Sequence, residues 1–221
     1  MDQSEFETLL ADVEELKKAV RRNNPFLREV VSSRFFAMIS IPFGLFLIAF
    51  CAGTQIFIVR RGSFSAVPAE WKIASTAVFG LFILVGALLK WIFLARQARR
   101  VEAGANFWTV IRSVYGGSWL NLNLPAILCM ALVPVLAILA GHPWYIVPGI
   151  AIFSAFPCNG IGLIVQRPEY FAMGWYVLAA GLLSLFFMES MPFVWSAVIW
   201  GGGLLAFGIV GLAVKDRGAP V

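Results

Sequence analysis

The sequence is poor in the residues on which most protein chemistry relies. It holds one histidine, three cysteines and only 13% charged side chains in 221 residues. With His142 alone, haem held by two histidines of one chain is excluded, and so is a His-pair metal site. Cys51, Cys129 and Cys158 lie far apart, lack metal-ligand spacing and are odd in number, which argues against a disulfide framework. Each falls within an apolar run, where a free cysteine serves as a small packing residue.

Motifs with known mechanics are missing too. There is no G-x-x-x-x-G-K-[ST] phosphate cradle, no H-E-x-x-H and no C-x-x-C. No G-x-S-x-G elbow occurs, since Gly117-Ser118-Trp119 lacks the second glycine. A serine–histidine pair inside a membrane fails on depth, with Ser118 expected near an inner face and His142 at an outer turn. The expectation is a non-enzymatic protein with no catalytic residue, cofactor or metal. The N-terminus, MDQSEFETLLADVEELKKAV, is acidic first and basic later, the reverse of a cleavable signal peptide. The first apolar span is therefore expected to act as an uncleaved signal anchor.

What the chain does have is apolar length. Hydrophobic residues make up 60% and the mean hydropathy is +0.84. An average soluble domain is about half apolar and about a quarter charged. So large an excess has no interior to occupy in a chain of one domain's length, so lipid is the expected solvent for it. The formal net charge of +5 flanks apolar runs, which fits membrane topology and anionic headgroups rather than nucleic acid.

A crossing of about 30 Å needs about 20 mostly apolar residues, and six candidates meet this, at about 35–59, 73–95, 119–140, 144–165, 170–188 and 193–214. Gly141-His142-Pro143 reads as a tight turn between the third and fourth. The expected fold is all-α: a polytopic bundle over 35–214, preceded by a cytosolic or interfacial amphipathic helix within 1–34 and followed by a short tail, 215–221. If the N-terminus lies inside, the inner segments hold thirteen Lys and Arg and the outer loops only Arg60, Arg61 and Lys72; Lys90 lies within a span near its inner end, where it can snorkel. The bias predicts cytoplasmic termini and a multi-pass protein of the cell (inner) membrane.

Two segments outside the spans carry their own pattern. Phe6, Leu9, Val13, Leu16 and Val20 follow heptad a and d steps, with acidic residues early and Lys17, Lys18, Arg21 and Arg22 late, matching the helix dipole. This fits a short coiled coil joining copies or docking a partner, and equally an amphipathic helix lying on the bilayer. The loop at 106–115 sets Phe107, Trp108, Ile111, Val114 and Tyr115 on one helical face, the pattern of an interfacial helix. Its alternative is an extension of the third span kinked at Gly116-Gly117.

Few residues inside the spans could carry a function. Pro157, Asn159 and Gly160 lie together in the fourth, where proline frees a carbonyl and glycine lets a helix unwind, as in substrate-lining broken helices. The plainer reading is a kink whose Asn bonds to a neighbouring helix. Gln55, Asn121 and Asn123 are the other polar candidates, the two asparagines expected at headgroup level. Arg96, Arg99, Arg100 and Arg112 are candidate headgroup-binding residues, with topology as the simpler role. Small residues four apart, Ala137/Gly141, Cys158/Gly162 and Gly202/Ala206, predict close helix contacts. The expected function is a membrane scaffold or regulatory subunit that uses its N-terminal helix for self- or partner association. The alternative is a small transporter or channel for a neutral or lipid-like solute.

Overall fold

A computed structural model describes residues 34–101, 118–165 and 167–213, with positions 104, 108, 111 and 112. The heptad-like helix, with Phe6, Leu9, Val13, Leu16 and Val20, lies outside the described residues, as do the tail 215–221 and most of 106–115. Within that loop Trp108, Ile111 and Arg112 are helical, and Trp108 and Arg112 are exposed.

Every regular element among the described residues is helical. They are α1 (Arg34–Arg61), α2 (Ala69–Val101), α3 (Ser118–Leu139), α4 (Ile146–Val165), α5 (Pro168–Ser184) and α6 (Pro192–Ala213). A 3-10 turn, Pro143–Tyr145, leads into α4, and a π turn, Ala197–Gly201, interrupts α6. Five helices, all but α5, are long and apolar enough to cross a membrane.

The expected fifth span is shorter as a helix than the sequence pattern suggested. α5 has 17 residues, or about 25 Å at about 1.5 Å per residue. From Leu185 to Ser190 the chain tightens into turns, with Leu185 N–H donating to Leu182 O and Phe186 N–H to Leu183 O, each at 3.3 Å. Ser184 contributes by donating its hydroxyl to Gly181 O at 2.8 Å, offering that carbonyl a partner other than the next turn. The other boundaries lie within about two residues of the hydrophobic pattern, except that α2 starts four residues before and ends six residues after the expected 73–95.

The turn before α4 forms as its residues dictate. Gly141 has φ of 75°, its N–H donates to Ile138 O and the His142 N–H to Ala137 O, the paired bonds of a Schellman stop. Gly141 is thus a turn residue with open space around it, not half of a small-residue contact with Ala137.

Side-chain contacts order the bundle as α2, α1, α6, α5, α4, α3, each antiparallel to the next. Between α2 and α1 the seam is aromatic: Trp71 stacks on Phe57, Phe79 on Phe50, Phe82 on Phe46, and Phe93 meets Phe36 edge-on. Elsewhere small residues bring backbones close. A Cβ on Gly44 of α1 would lie 2.7 Å from the Gly201 carbonyl of α6, and one on Gly203 of α6 would lie 2.8 Å from Val177 of α5. The core follows from this: Ala151, Val177, Ala180 and Ile199 are buried together where α4, α5 and α6 meet. α2 is different, with only 6% of its apolar stretch buried. Rings hold it at arm's length from the bundle, and most of its surface is left for lipid.

Antiparallel packing gathers Arg34, Val101, Ser118, Val165, Pro168 and Ala213 at one end. This is the basic end of the bundle, since it also carries Arg96, Arg99, Arg100 and Arg167.

Candidate functional site

The polar residues of the apolar helices are the natural place to look, and the structure groups three helices around α4. Pro157 does not break it: α4 runs as one helix from Ile146 to Val165, so the unwound segment that Pro157-Cys158-Asn159-Gly160 suggested is not present. Pro157 removes one backbone donor, and the neighbouring turns hold the helix together. Ser154 adds a bond from its hydroxyl to Ala151 O at 2.8 Å.

Asn159 points at α5. A Cβ on Gly174 would collide with the Asn159 carboxamide oxygen and lie 2.8 Å from its Cγ and 3.2 Å from Ala155 O. Gly174 therefore exists as a flat seat for that side chain. The Asn159 Oδ1 is buried and accepts no hydrogen bond, so its amide oxygen does not make the interhelical bond expected of a kink-site asparagine.

Gly160, the next residue, is a second such seat and faces the other way. A Cβ there would lie 2.8 Å from Nδ2 of Asn123 on α3. Asn123 is only 2% exposed and donates through Nδ2 to Trp119 O at 2.9 Å. The expectation that it caps at headgroup level is thereby corrected, and only Asn121 is exposed. A buried Asn satisfies its donor within its own helix and presses its amide on a glycine across the interface. Trp119 is also buried, at 6% exposure.

Asn123, Gly160, Asn159 and Gly174 thus form a belt at one depth, reaching α3, α4 and α5. Each asparagine is five or six residues from its helix's basic-end terminus, about 9 Å at about 1.5 Å per residue. The belt holds α3, α4 and α5 in register by seating each asparagine on a glycine of the neighbouring helix. Cys158, beside Asn159, is free, as are Cys51 and Cys129. Gln55 lies in the opposite half of α1, with its Oε1 buried and without a hydrogen-bond partner.

Glu169 is the residue that sequence reasoning missed. Placed there in a break between spans, it instead occupies the first turn of α5, 5% exposed, with Oε2 buried and accepting no hydrogen bond. It sits where α5, α6 and α1 meet: a Cβ on Gly211 would lie 3.7 Å from Glu169 Cβ and 2.8 Å from that of Ala37. Its place next to Pro168 was a readable signal, since Pro then Glu is a common helix opening. The helix N-terminus itself favours a negative charge there. That it would be buried was not readable, because burial comes from Gly211 on a helix that starts after it in the chain.

The remaining sequence candidates do not converge. Arg96, Arg99 and Arg100 are exposed on the last two turns of α2, and Arg112 is exposed beyond it. No group of three His, Cys, Asp or Glu that could hold a metal occurs among the described residues. In α6 the triple glycine 201–203 begins at the end of the π turn. Tyr176 donates its hydroxyl to Val198 O at 2.9 Å, and its ring covers Gly202. π turns widen a helix by one residue, and here the side chain of a neighbour ties the widened turn down. Gly162 is likewise covered, by Tyr170 and Phe171. No family model matches the chain, and no curated protein or solved structure is significantly similar to it.

Proposed function

We propose that the chain is a non-enzymatic scaffold or regulatory subunit of the cell (inner) membrane. It crosses six times, keeps both termini in the cytoplasm and associates with itself or a protein partner through the helix that bears Phe6, Leu9, Val13, Leu16 and Val20. The membrane-embedded helical character rests on five helices of spanning length and hydropathy. The sixth crossing is supported by α5 lying antiparallel between α4 and α6. Its about 25 Å is extended by the turns from Leu185 to Ser190 toward the about 30 Å required. The cytoplasmic placement is supported by the concentration of Lys and Arg at one end.

The observation that carries the scaffold reading is the closed packing of Asn159. A solute path needs polar groups around open space, whereas this carboxamide is wedged on Gly174 with its oxygen out of contact with solvent. The alternative, a small transporter or channel for a neutral or lipid-like solute, draws on that same oxygen, which is free to accept a bond. It would need α4 and α5 to separate.

The test compares the full chain with a variant lacking residues 1–24, both in native-lipid nanodiscs, by mass measurement and in-membrane cross-linking. The scaffold reading expects assemblies of the full chain that the deletion disperses. Identical assembly with and without residues 1–24 would refute it. A parallel assay of glycerol and urea entry into proteoliposomes is expected to match protein-free vesicles, and an N159A-sensitive flux would establish the transport reading instead.

A further inference from the structure

The two ends of the bundle treat their cations differently. At the end opposite the basic one, Arg61 stacks its guanidinium over Phe57 at 5.4 Å. Lys72 lies 4.9 Å from the Phe64 ring centroid and donates to Ser65 O at 3.4 Å. Arg61 and Lys72 are thus met by the protein itself, while Arg60 beside them is exposed. At the basic end Arg96, Arg99 and Arg100 are exposed, and no described carboxylate pairs with them. Glu169, a carboxylate at that end, is buried at the meeting of α1, α5 and α6.

Helix geometry fixes where these arginines stand. α2 has 33 residues, about 50 Å at about 1.5 Å per residue, so it exceeds the about 30 Å hydrocarbon core by several turns. Its last two turns therefore reach headgroup level. Leu94 and Ala98, at 4% and 0% exposure, are buried on one face of those turns. At about 100° per residue, Arg96, Arg99 and Arg100 fall on the opposite arc, within about 100° of one another. Burial of Leu94 and Ala98 sets the rotation, and the rotation presents all three guanidiniums outward together. Residues three and four apart have Cβ atoms about 5–6 Å from each other, a spacing at which two arginines can fork onto one phosphate. The negative pole of the helix C-terminus orders them further.

We infer that Arg96, Arg99 and Arg100 form a retention site for anionic phospholipid headgroups at the basic end of α2. The acyl chains lie against the helix's exposed apolar face, where Leu84, Leu88 and Ile92 are uncovered. A role in topology needs only charge on one side, whereas this site holds a phosphate and discriminates among lipids. The inference rests on α2 crossing a bilayer.

The test reconstitutes the full chain in nanodiscs of phosphatidylcholine with one-fifth phosphatidylglycerol and counts retained lipids by native mass spectrometry. Wild type should retain phosphatidylglycerol above its bulk fraction. Preference should fall roughly five-fold per arginine changed to Gln, and on the order of a hundred-fold for R96Q/R99Q/R100Q. The control R60Q/R61Q, at the other end, should retain lipid like wild type; an equal fall there would reduce the effect to net charge and overturn the site. Glycerol phosphate and inorganic phosphate are added as competitors; displacement of lipid at millimolar levels would identify the ligand as free phosphate. A photoactivatable phosphatidylglycerol on unaltered protein removes dependence on the variants. Adducts should map to residues 84–101, and their absence from that stretch would refute the inference. Loss of the protein from the bilayer on alkaline extraction would instead mark failure of the membrane reading.

Discussion

Two glycines of α1 give the sharpest test of how the bundle is packed. Gly44 and Gly53 occupy the same helix, so replacing either with alanine gives the same gain in helix propensity, about 1 kcal/mol at most. Their surroundings differ. A Cβ on Gly44 would lie 2.7 Å from the Gly201 carbonyl oxygen and 3.1 Å from Leu205 Cγ, while one on Gly53 would meet nothing within 4 Å. The closest neighbour of Gly44 is backbone in the π turn, and it cannot rotate away as a side-chain tip can. α1 and α6 must then separate, at an overpacking cost of about 1–3 kcal/mol. Since the propensity gain cancels in the comparison, Gly44→Ala should be about 1–3 kcal/mol less stable than Gly53→Ala. Gly53→Ala itself should be neutral or slightly stabilising. Denaturant unfolding in lipid-like micelles, followed by tryptophan fluorescence, measures both. Equal stabilities, or a less stable Gly53→Ala, would refute the close approach of α1 to α6.

Four other residues test the polar side chains. Asn123→Ala should destabilise by about 1–2 kcal/mol, losing the bond to Trp119 O and leaving a void against Gly160, whereas Asn159→Ala should change stability by less than about 1 kcal/mol because its oxygen makes no bond to lose. The same unfolding assay reads both, and a reversed order would contradict the geometry of α4. Glu169→Gln keeps the shape and leaves a buried polar atom without a partner, but it removes the acidic group that the N-terminus of α5 favours, so it should lower stability by about 0.3–1 kcal/mol at low ionic strength. A raised stability would show that burying the carboxyl costs more than the helix N-terminus returns. Tyr176→Phe should cost about 0.5–1.5 kcal/mol through loss of the bond to Val198 O and should speed amide exchange over residues 197–201. Unchanged exchange would show that the π turn stands without Tyr176.

Much of the architecture was legible because lipid imposes a simple rule on sequence. A helix must satisfy its own backbone in hydrocarbon, so apolar runs of sufficient length mark helices directly, and five emerged, four of them with nearly the expected bounds and α2 longer at both ends. The Gly141-His142-Pro143 turn was equally local, since only glycine takes φ of 75° at no cost. Charge distribution singled out one end of the chain's crossings, and among the described residues the antiparallel packing of α1 to α6 gathers Arg34, Arg96, Arg99, Arg100 and Arg167 there. Sequence could not reveal how the helices face each other. In an almost uniformly apolar chain, hydrophobicity carries no rotational signal, because core and lipid look alike to the pattern. That choice fell to shape: which glycine lies under Asn159, which under Asn123, and which carbonyl Gly44 approaches. Whether Glu169 ended in a loop or buried beside Gly211, and whether Arg96, Arg99 and Arg100 shared one outward arc, were decided by contacts between helices distant in the chain. The sequence alone determined that the chain makes apolar helices with a basic end; tertiary packing decided which polar groups those helices enclose and which they leave facing outward.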